Sequence, residues 1–393
     1  MFPSTSSVIF LNLFITLAFC TICQDLTPER TNYANISVSG LKDWSISYGR
    51  SVWSSPPFIT PDIVYFSTSV GLISVDLRTG EQLANVNPST LASAQLHMSE
   101  DSSRIATLSF PKDGSRNFHV YTADLSSEVA RISVTVPGTV VSDDRGLLFS
   151  DQNLMVRFNF RGVQLHRTTS LNYATFHPCR LGYIRHGFNQ LDVINKDLRL
   201  LFTLRYPGIS TVVSDMTSGM FFFSYSDIMQ HPDQILIAGI HDSNREIFVR
   251  NMTRVNNFHQ VLFLAVTSDG SVVFGVGSRT SNSFSLSIYK IQLTGHGFEE
   301  IELVVTLSSE ASYQSHVLYP SNLMAISYTD ETNVQPLAKI VLIDLNSHMI
   351  IDSIEYENSK GGSMVGYGNN CLLYITKGRY NVPNTLHNTC FLQ

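Results

Sequence analysis

Short runs of β-branched and aromatic residues alternate with polar turns along this chain, and the arrangement recurs. Each copy predicts a hairpin, in which a strand, a Ser/Asp/Asn/Gly turn and a hydrophobic strand follow one another. The eight copies are ITPDIVYFST from Ile59, MSEDSSRIATLS from Met98, VVSDDRGLLFS from Val140, YATFHPCRLGYIRH from Tyr173, VVSDMTSGMFFFS from Val212, AVTSDGSVVFGV from Ala265, LYPSNLMAISYT from Leu318 and YGNNCLLYIT from Tyr367.

A second pair of strand-like runs follows most copies, as in GLISVDLRTGEQL from Gly71 and KIVLIDLNSHMIIDSI from Lys339. The mean spacing of the copies is about 44 residues, and four strands per 40–45 residues is the period of a β-propeller blade. We therefore predict an all-β chain with a single propeller over residues 41–393. The count is eight blades, or seven if the weak copy around Pro178 is a loop.

The last copy is incomplete, because only one further strand fits between Arg379 and Phe391. The alternating segment from Lys42 to Tyr48 can supply the missing outer strand, and closing the ring in this way removes exposed sheet edges. Cys371 and Cys390 would lie in the closing blade. A disulfide between them closes a loop of about 20 residues and would contribute about 3 kcal/mol.

The first 23 residues carry no charged side chain and contain the apolar run Val8–Ile22, which predicts a secretory signal peptide. Cleavage fits after Cys20 or after Cys23, and residues 24–40 form an N-terminal extension. No later stretch is long and apolar enough to span a bilayer. The mature protein is therefore expected to be soluble and secreted or lumenal.

Two further features agree with that compartment. Asn35 and Asn251 begin N-glycosylation sequons, Asn-Ile-Ser and Asn-Met-Thr. If Cys371 pairs with Cys390, Cys179 is left over. It is then a buried thiol or, if cleavage follows Cys20, it has Cys23 as a possible partner.

Composition excludes two classes of protein. Of the 393 residues, 43% are hydrophobic and 15% are charged, so the chain is not intrinsically disordered. The formal net charge of −6 argues against a dedicated nucleic-acid binder, which needs a basic surface. Neither value identifies a partner or an oligomeric state.

The segment from Ser54 to Glu81 carries a recognisable repeat. It has a Ser-Ser-Pro-Pro opening, the strand Ile63-Val64-Tyr65-Phe66 and the run Gly71-Leu-Ile-Ser-Val-Asp-Leu-Arg-Thr-Gly80. It resembles the quinoprotein-like, PQQ-type propeller repeat, which implies the fold more than an activity. Gly71 and Gly80 suit positive φ angles, and Asp76 is placed to accept hydrogen bonds from turn amides.

The sequence assigns no catalytic, cofactor-binding or metal-binding residue. The quinone dehydrogenases of this fold use a vicinal disulfide and a stacking tryptophan, but this chain has no Cys-Cys pair, and Trp44 and Trp53 both precede the first full blade. Ser142–Phe149 resembles the Asp-box of sialidase-like propellers, which is a turn staple and not a catalytic group. His177, Cys179 and His186 do not have a zinc spacing. Asp143, Asp144 and Asp151 fit a solvated turn better than a calcium site.

These observations favour a non-enzymatic binding scaffold that takes a protein or glycan ligand on a propeller rim. The rim candidates are the longest inter-blade insertions, namely Asp227–Asp233, Arg279–Phe284, Leu293–Glu300 and Asp330–Leu337. The alternative is an extracellular propeller enzyme, a glycosidase or other hydrolase or a quinone-dependent oxidoreductase, with its site in the central funnel.

Overall fold

The computed structural model is an eight-bladed β-propeller built from eight four-stranded antiparallel sheets. It describes Ile36 and residues 41–48, 56–68, 71–87, 91–110, 116–134, 139–143, 145–150, 154–169, 175–187, 189–215, 218–225, 234–241, 247–253, 259–279, 284–294, 297–307, 311–330, 335–378 and 382–391. Within these residues no helix is long and apolar enough to cross a membrane. The predicted signal peptide lies outside them.

The strands of blades 1–4 follow in chain order. Blade 1 has β2 (Phe58–Ile59), β3 (Ile63–Thr68), β4 (Gly71–Asp76) and β5 (Gln82–Val86); blade 2 has β6 (Leu91–Met98), β7 (Arg104–Phe110), β8 (Arg116–Thr122) and β9 (Glu128–Val134). Blade 3 has β10 (Thr139–Asp143), β11 (Gly146–Ser150), β12 (Leu154–Phe158) and β13 (Gln164–Thr169); blade 4 has β14 (Thr175–Cys179), β15 (Gly182–His186), β16 (Gln190–Asn195) and β17 (Leu200–Arg205). The weak copy around Pro178 is therefore a hairpin, and the count of eight is confirmed.

Blades 5–8 continue the order until the ring closes. Blade 5 has β18 (Ile209–Ser214), β19 (Met220–Tyr225), β20 (Gln234–His241) and β21 (Ile247–Thr253); blade 6 has β22 (His259–Val266), β23 (Val272–Arg279), β24 (Phe284–Thr294) and β25 (Gly297–Leu307). Blade 7 has β26 (Ala311–Leu318), β27 (Leu323–Asp330), β28 (Leu337–Asp344) and β29 (Met349–Glu357); blade 8 has β30 (Ser359–Tyr367), β31 (Cys371–Gly378), β32 (Thr385–Cys390) and, from the N-terminal part, β1 (Trp44–Ser47).

The hydrophobic core lies between the blades, because each sheet packs its two faces against two neighbours. Strand β19 shows why a run of three phenylalanines suits this position. Phe221 and Phe223 pack with residues of blade 4, whereas Phe222 points to the other face and packs with residues of blade 6. All three side chains are at most 1% exposed. Successive strand residues point to opposite faces, so the centre of a second strand can be apolar at consecutive positions.

Polar side chains also link neighbouring blades. The Tyr65 hydroxyl of blade 1 donates to the Ala123 carbonyl of blade 2 at 2.6 Å. Arg157 of blade 3, which is almost fully buried, donates to the Lys196 carbonyl of blade 4. The Tyr319 hydroxyl of blade 7 donates to the Cys371 carbonyl of blade 8 at 3.0 Å. Such bonds satisfy polar groups that blade stacking removes from water.

Ring closure takes place in blade 8, as the sequence predicts. Strand β1 pairs antiparallel with β32, with Trp44 opposite Asn388 and Ser47 opposite Thr385. The Trp44 indole then crosses to blade 1, where its Nε1 donates to the Leu77 carbonyl at 2.9 Å. The Cys371–Cys390 disulfide joins β31 to β32 at directly opposite positions. The outer strand and a covalent bond thus hold the last blade together.

The tight turns confirm the roles predicted for the repeat residues. The Asp76 carboxylate accepts hydrogen bonds from the amides of Arg78 at 2.9 Å and Thr79 at 2.8 Å. Gly80 has a φ of +72° and lies against the Trp44 ring, so a side chain there would be strained and would collide. In the Asp-box turn, Asp143 caps the backbone amides of Arg145 and Gly146, both at 2.9 Å.

Candidate interaction surfaces on the outer strands

The exposed large apolar residues of the described part share one location, the fourth and outermost strand of a blade. They lie on seven of the eight outer strands or immediately beside them, and they are Leu83, Val129, Val163, Leu165, Leu200, Leu201, Val249, Leu303, Met349, Ile350 and Ile351. Isolated exposed apolar residues are normal on a protein surface. Two clusters of these residues are not isolated, one on blades 3 and 4 and one on blades 6 and 7.

The first cluster is surrounded by basic residues. We call it the basic edge and define it by eight exposed residues of blades 3 and 4: Arg161, Val163, Leu165, Arg167, Arg199, Leu200, Leu201 and Arg205. Strands β13 and β17 contain no Asp or Glu. Asp197, in the adjoining turn, accepts from Arg145 at 2.7 Å, and this guanidinium lowers the pKa of the Asp197 carboxyl.

The second cluster is surrounded by acidic residues. We call it the acidic edge and define it by eight exposed residues of blades 6 and 7: Glu299, Glu302, Leu303, Met349, Ile350, Ile351, Glu355 and Glu357. Strands β25 and β29 contain no Lys or Arg. His348 lies 3.7 Å from Glu302, which connects the two blades at this surface. Lys339 of β28 binds Glu355 at 2.9 Å, and that hydrogen bond raises the pKa of the lysine.

Similar turns place the apolar residues of both edges. Asn159 accepts from the amides of Arg161 and Val163, and Asn195 accepts from those of Asp197 and Arg199, all at 2.9–3.0 Å. In blade 7, Asp344 caps the equivalent turn by accepting from the Asn346 amide at 2.9 Å. In the strand register, Leu200 pairs with Ile194 and Ile350 pairs with Ile343, each of which immediately precedes the capping residue of its blade. Leu200 and Ile350 therefore lie at corresponding levels of the ring.

The four predicted rim insertions do not lie between blades, because the strands that flank each of them belong to one sheet. Three of the four belong to one end of the propeller. Asp227–Asp233, Arg279–Phe284 and Asp330–Leu337 connect the second and third strands of blades 5, 6 and 7, which are consecutive in the ring. Most of their residues lie outside the described part. The fourth prediction, Leu293–Glu300, was wrong as a loop insertion. Strand β24 continues to Thr294 and β25 begins at Gly297, because this hairpin has two strands of 11 residues each.

The aspartates and the cysteine that the sequence analysis compares with metal ligands do not form a metal site within the described residues. Asp143 accepts from Arg157 at 2.9 Å and from the Tyr183 hydroxyl, so its carboxylate belongs to the contact between blades 3 and 4. Asp144 and Asp151 lie outside the described residues. Cys179 carries a buried thiol at the end of β14. No group of three or more potential metal ligands occurs among the residues that the structure describes.

Burial strongly lowers the pKa values of four histidines, of which His177, His186 and His316 are buried and His387 is half-buried. The rings of His177 and His186 stack with centroids 5.1 Å apart, and one ring nitrogen of each has no hydrogen-bond partner within the described ranges. Burial lowers the pKa of His177 to about 3 and that of His186 to about 4. His316 packs on Phe263, and His387 packs on Tyr356. Burial lowers their pKa values to about 3 and about 4.

Of the two predicted glycosylation sites, only Asn251 lies among the described residues. Asn251 lies in β21, the outermost strand of blade 5, opposite Leu236. Asn35 lies outside the described residues. Strand β21 belongs to neither charged edge, so a glycan at Asn251 would be attached between them.

The fold defines the protein as an eight-bladed β-propeller, and the similarity to one solved structure, BamB, agrees with it. Neither the protein-family models nor the curated protein sequences give a match. Among solved structures the chain is similar to BamB from Moraxella catarrhalis, with 11% identity, 88% of this chain and 98% of that chain covered, and a TM-score of 0.60. It is also similar to the β-propeller domain of Myceliophteria thermophila Cps50 (Swd1), with 13% identity, 72% and 94% coverage and a TM-score of 0.48. At such low identity the likeness shows the fold alone, and the quinoprotein-like relationship stays a prediction from the repeat.

Proposed function

We propose that the protein is a secreted, glycosylated β-propeller that works as a non-enzymatic binding scaffold. Its partners are proteins that contact the outer strands of the blades. The observation that carries this proposal is the clustering of exposed apolar side chains on two outer surfaces of opposite charge. Exposed apolar clusters with a charged surround are typical of protein interaction sites, since they give both buried area and orientation on binding.

The position of these residues supports the proposal. A strand that faces water on its outer side is normally kept from pairing with other chains by charged residues or short length. Strand β29 instead begins with Met349, Ile350 and Ile351, of which Met349 is 61% exposed. Folding of the propeller does not need apolar side chains there, whereas a protein partner would bury them.

Binding is tested with edge variants of the secreted chain. Chemical cross-linking in the producing culture should give defined complexes with wild-type protein. The double variant Leu200→Glu, Leu201→Glu should lose complexes that use the basic edge. The matched control is Leu83→Glu on β5, because Leu83 is 53% exposed but belongs to neither edge. Complexes that persist unchanged in the double variant and in an Ile350→Lys variant would contradict the proposal.

Secretion and glycosylation are tested in a eukaryotic host. The full chain should appear in the medium, and deletion of residues 2–23 should retain it in the cell. Glycosidase treatment that removes N-linked glycans should lower the apparent mass, and Asn251→Gln together with Asn35→Gln should abolish that change. Wild-type protein that stays in the cytosol without glycan would overturn this part of the proposal.

A further inference from the structure

The basic and acidic edges match each other in several respects. Each has four exposed apolar residues and four exposed charged residues, and the charges are of opposite sign. Leu200 and Ile350 lie at corresponding levels of the ring, because each pairs with the residue that precedes the capping residue of its blade. Leu200 of one copy can therefore meet Ile350 of another with little offset along the ring axis.

We propose that the partner of these edges is a second copy of the same chain, with the basic edge of one copy bound to the acidic edge of the next. The proposal rests on the proposed scaffold function and identifies its partner. Val163, Leu165, Leu200 and Leu201 of one copy would contact Leu303, Met349, Ile350 and Ile351 of the other. The flanking arginines and glutamates would pair across the contact and exclude the reversed orientation.

Charge complementarity favours a second copy over an unrelated protein. A foreign partner needs only one of the two surfaces and gives no reason for the other to have the opposite charge. One contact between copies accounts for both surfaces at once. The contact would also bring outermost strands together on both sides. In the described part, each of these strands is the last of its sheet, namely β13, β17, β25 and β29.

The ring geometry determines what kind of assembly results. Blades 3 and 4 are separated from blades 6 and 7 by three eighths of a turn, since the blades follow chain order around the ring. The contact joins two different surfaces and is therefore heterologous, so each copy keeps one edge for another neighbour. The assembly should grow beyond a dimer, into open chains or larger rings, as concentration rises. The predicted glycan at Asn251 is on blade 5 and on neither edge.

The test is a charge swap on the full secreted chain, followed by sedimentation velocity from about 1 to 100 µM protein in low salt. Variant X is Arg161→Glu, Arg199→Glu, which reverses two of the four charges of the basic edge. Variant Y is Glu299→Arg, Glu302→Arg, which reverses two of the four charges of the acidic edge. The control is Arg78→Glu, Glu81→Arg on the outer turn of blade 1, which keeps the same number of reversed charges away from both edges.

Wild type and control should form species larger than a dimer, and raising the salt to about 0.5 M should weaken the association. X alone and Y alone should associate at least tenfold more weakly. An equimolar mixture of X and Y should recover species larger than a dimer. The unchanged acidic edge of X binds the unchanged basic edge of Y, and growth beyond this pair needs the swapped residues of X to face the oppositely charged swapped residues of Y. Near-wild-type far-ultraviolet circular dichroism shows that X and Y are folded.

Two results would overturn the proposal. The first is a wild-type protein that stays monomeric over the whole concentration range. The second is self-association of X or Y equal to that of wild type. If wild type is monomeric while edge variants still lose a cross-linked complex with a different protein, the self-association proposal fails and the scaffold function stands. If the edge variants change no complex at all, both fail.

Discussion

Two runs of three consecutive apolar residues have opposite surroundings in this propeller. Phe221, Phe222 and Phe223 form the centre of β19 and are at most 1% exposed. Met349, Ile350 and Ile351 begin β29 and are 38–61% exposed. The first run lies on the second strand of blade 5, between two neighbouring blades, and the second lies on the outermost strand of blade 7.

The difference teaches that position within the blade decides what an apolar run does. On inner strands every side chain meets a neighbouring sheet, so apolar residues stabilise the fold whichever face they occupy. Outer strands have part of their surface beyond the reach of the neighbouring blades. Apolar residues there add little to folding and are available to a partner. Substitutions in the interior should therefore change the stability of the fold, whereas substitutions on the edges should change the binding of partners.

The largest effect is expected from acid, because burial strongly lowers the pKa values of His177, His186, His316 and His387. Their folded pKa values of about 3 to 4 lie below the ordinary value of about 6.5, so the unfolded chain binds more protons between these limits. Stability is therefore complete above pH 6.5 and is lost as pH falls toward 4. Each histidine should cost about 2 kcal/mol at pH 5 relative to neutral pH.

Denaturant unfolding at pH 7.5 and pH 5 measures this effect. The double variant His177→Leu, His186→Leu should have about half the pH dependence of wild type, since two of the four groups are removed. A free energy of unfolding that does not change between the two pH values would contradict the burial of these rings.

The second largest effect on stability is expected from shortening a buried side chain. Phe222 fills the contact between blades 5 and 6, where it touches Phe298 at a centroid distance of 6.2 Å and lies against Gly239. Phe222→Ala should lower the free energy of unfolding by about 3 to 5 kcal/mol, the usual cost of removing a buried phenylalanine. Thermal and urea unfolding measure it. A loss below about 1 kcal/mol would mean that the contact between blades 5 and 6 closes around the cavity. Interior and edge positions would then differ little in their effect on stability.

The disulfide gives a third, somewhat smaller effect on the interior. Cys371→Ala, Cys390→Ala should lower the free energy of unfolding by about 3 kcal/mol if the bond acts mainly by restricting the unfolded chain. The control is wild type in a reducing agent, which should lose a similar amount. Equal stability of the oxidised and reduced proteins would show that β1 alone is sufficient to hold blade 8.

Much of this fold is predictable from the sequence. The eight turn-and-strand copies, the closing strand from Lys42 to Tyr48, the pairing of Cys371 with Cys390 and the capping role of Asp76 all follow from local patterns, and the structure bears them out. These features depend on residues that are near in sequence or that mark the two ends of a repeat. Local turn chemistry and strand alternation are enough to specify them.

The edges were missed for a physical reason. The sequence predicts partner surfaces at insertions such as Asp330–Leu337, because the length of a segment between two strand patterns can be counted from the sequence alone. Whether Leu200 and Ile350 are buried depends on which strand is outermost and on what the adjacent blade covers, and that requires the assembled ring. One signal was present, since Met349-Ile350-Ile351 and Leu200-Leu201 break the alternation expected of a half-exposed strand.

One variant tests the central claim most directly, namely that the outer strands serve binding and the interior serves folding. Ile350→Lys should be measured for its free energy of unfolding and for its cross-linked complexes, beside Leu83→Lys as the matched control. Both variants should stay within about 0.5 kcal/mol of wild type in stability, as is usual for surface substitutions. Only Ile350→Lys should lose complexes. An Ile350→Lys protein that is destabilised like an interior variant, or that keeps every complex of the wild type, would contradict the account.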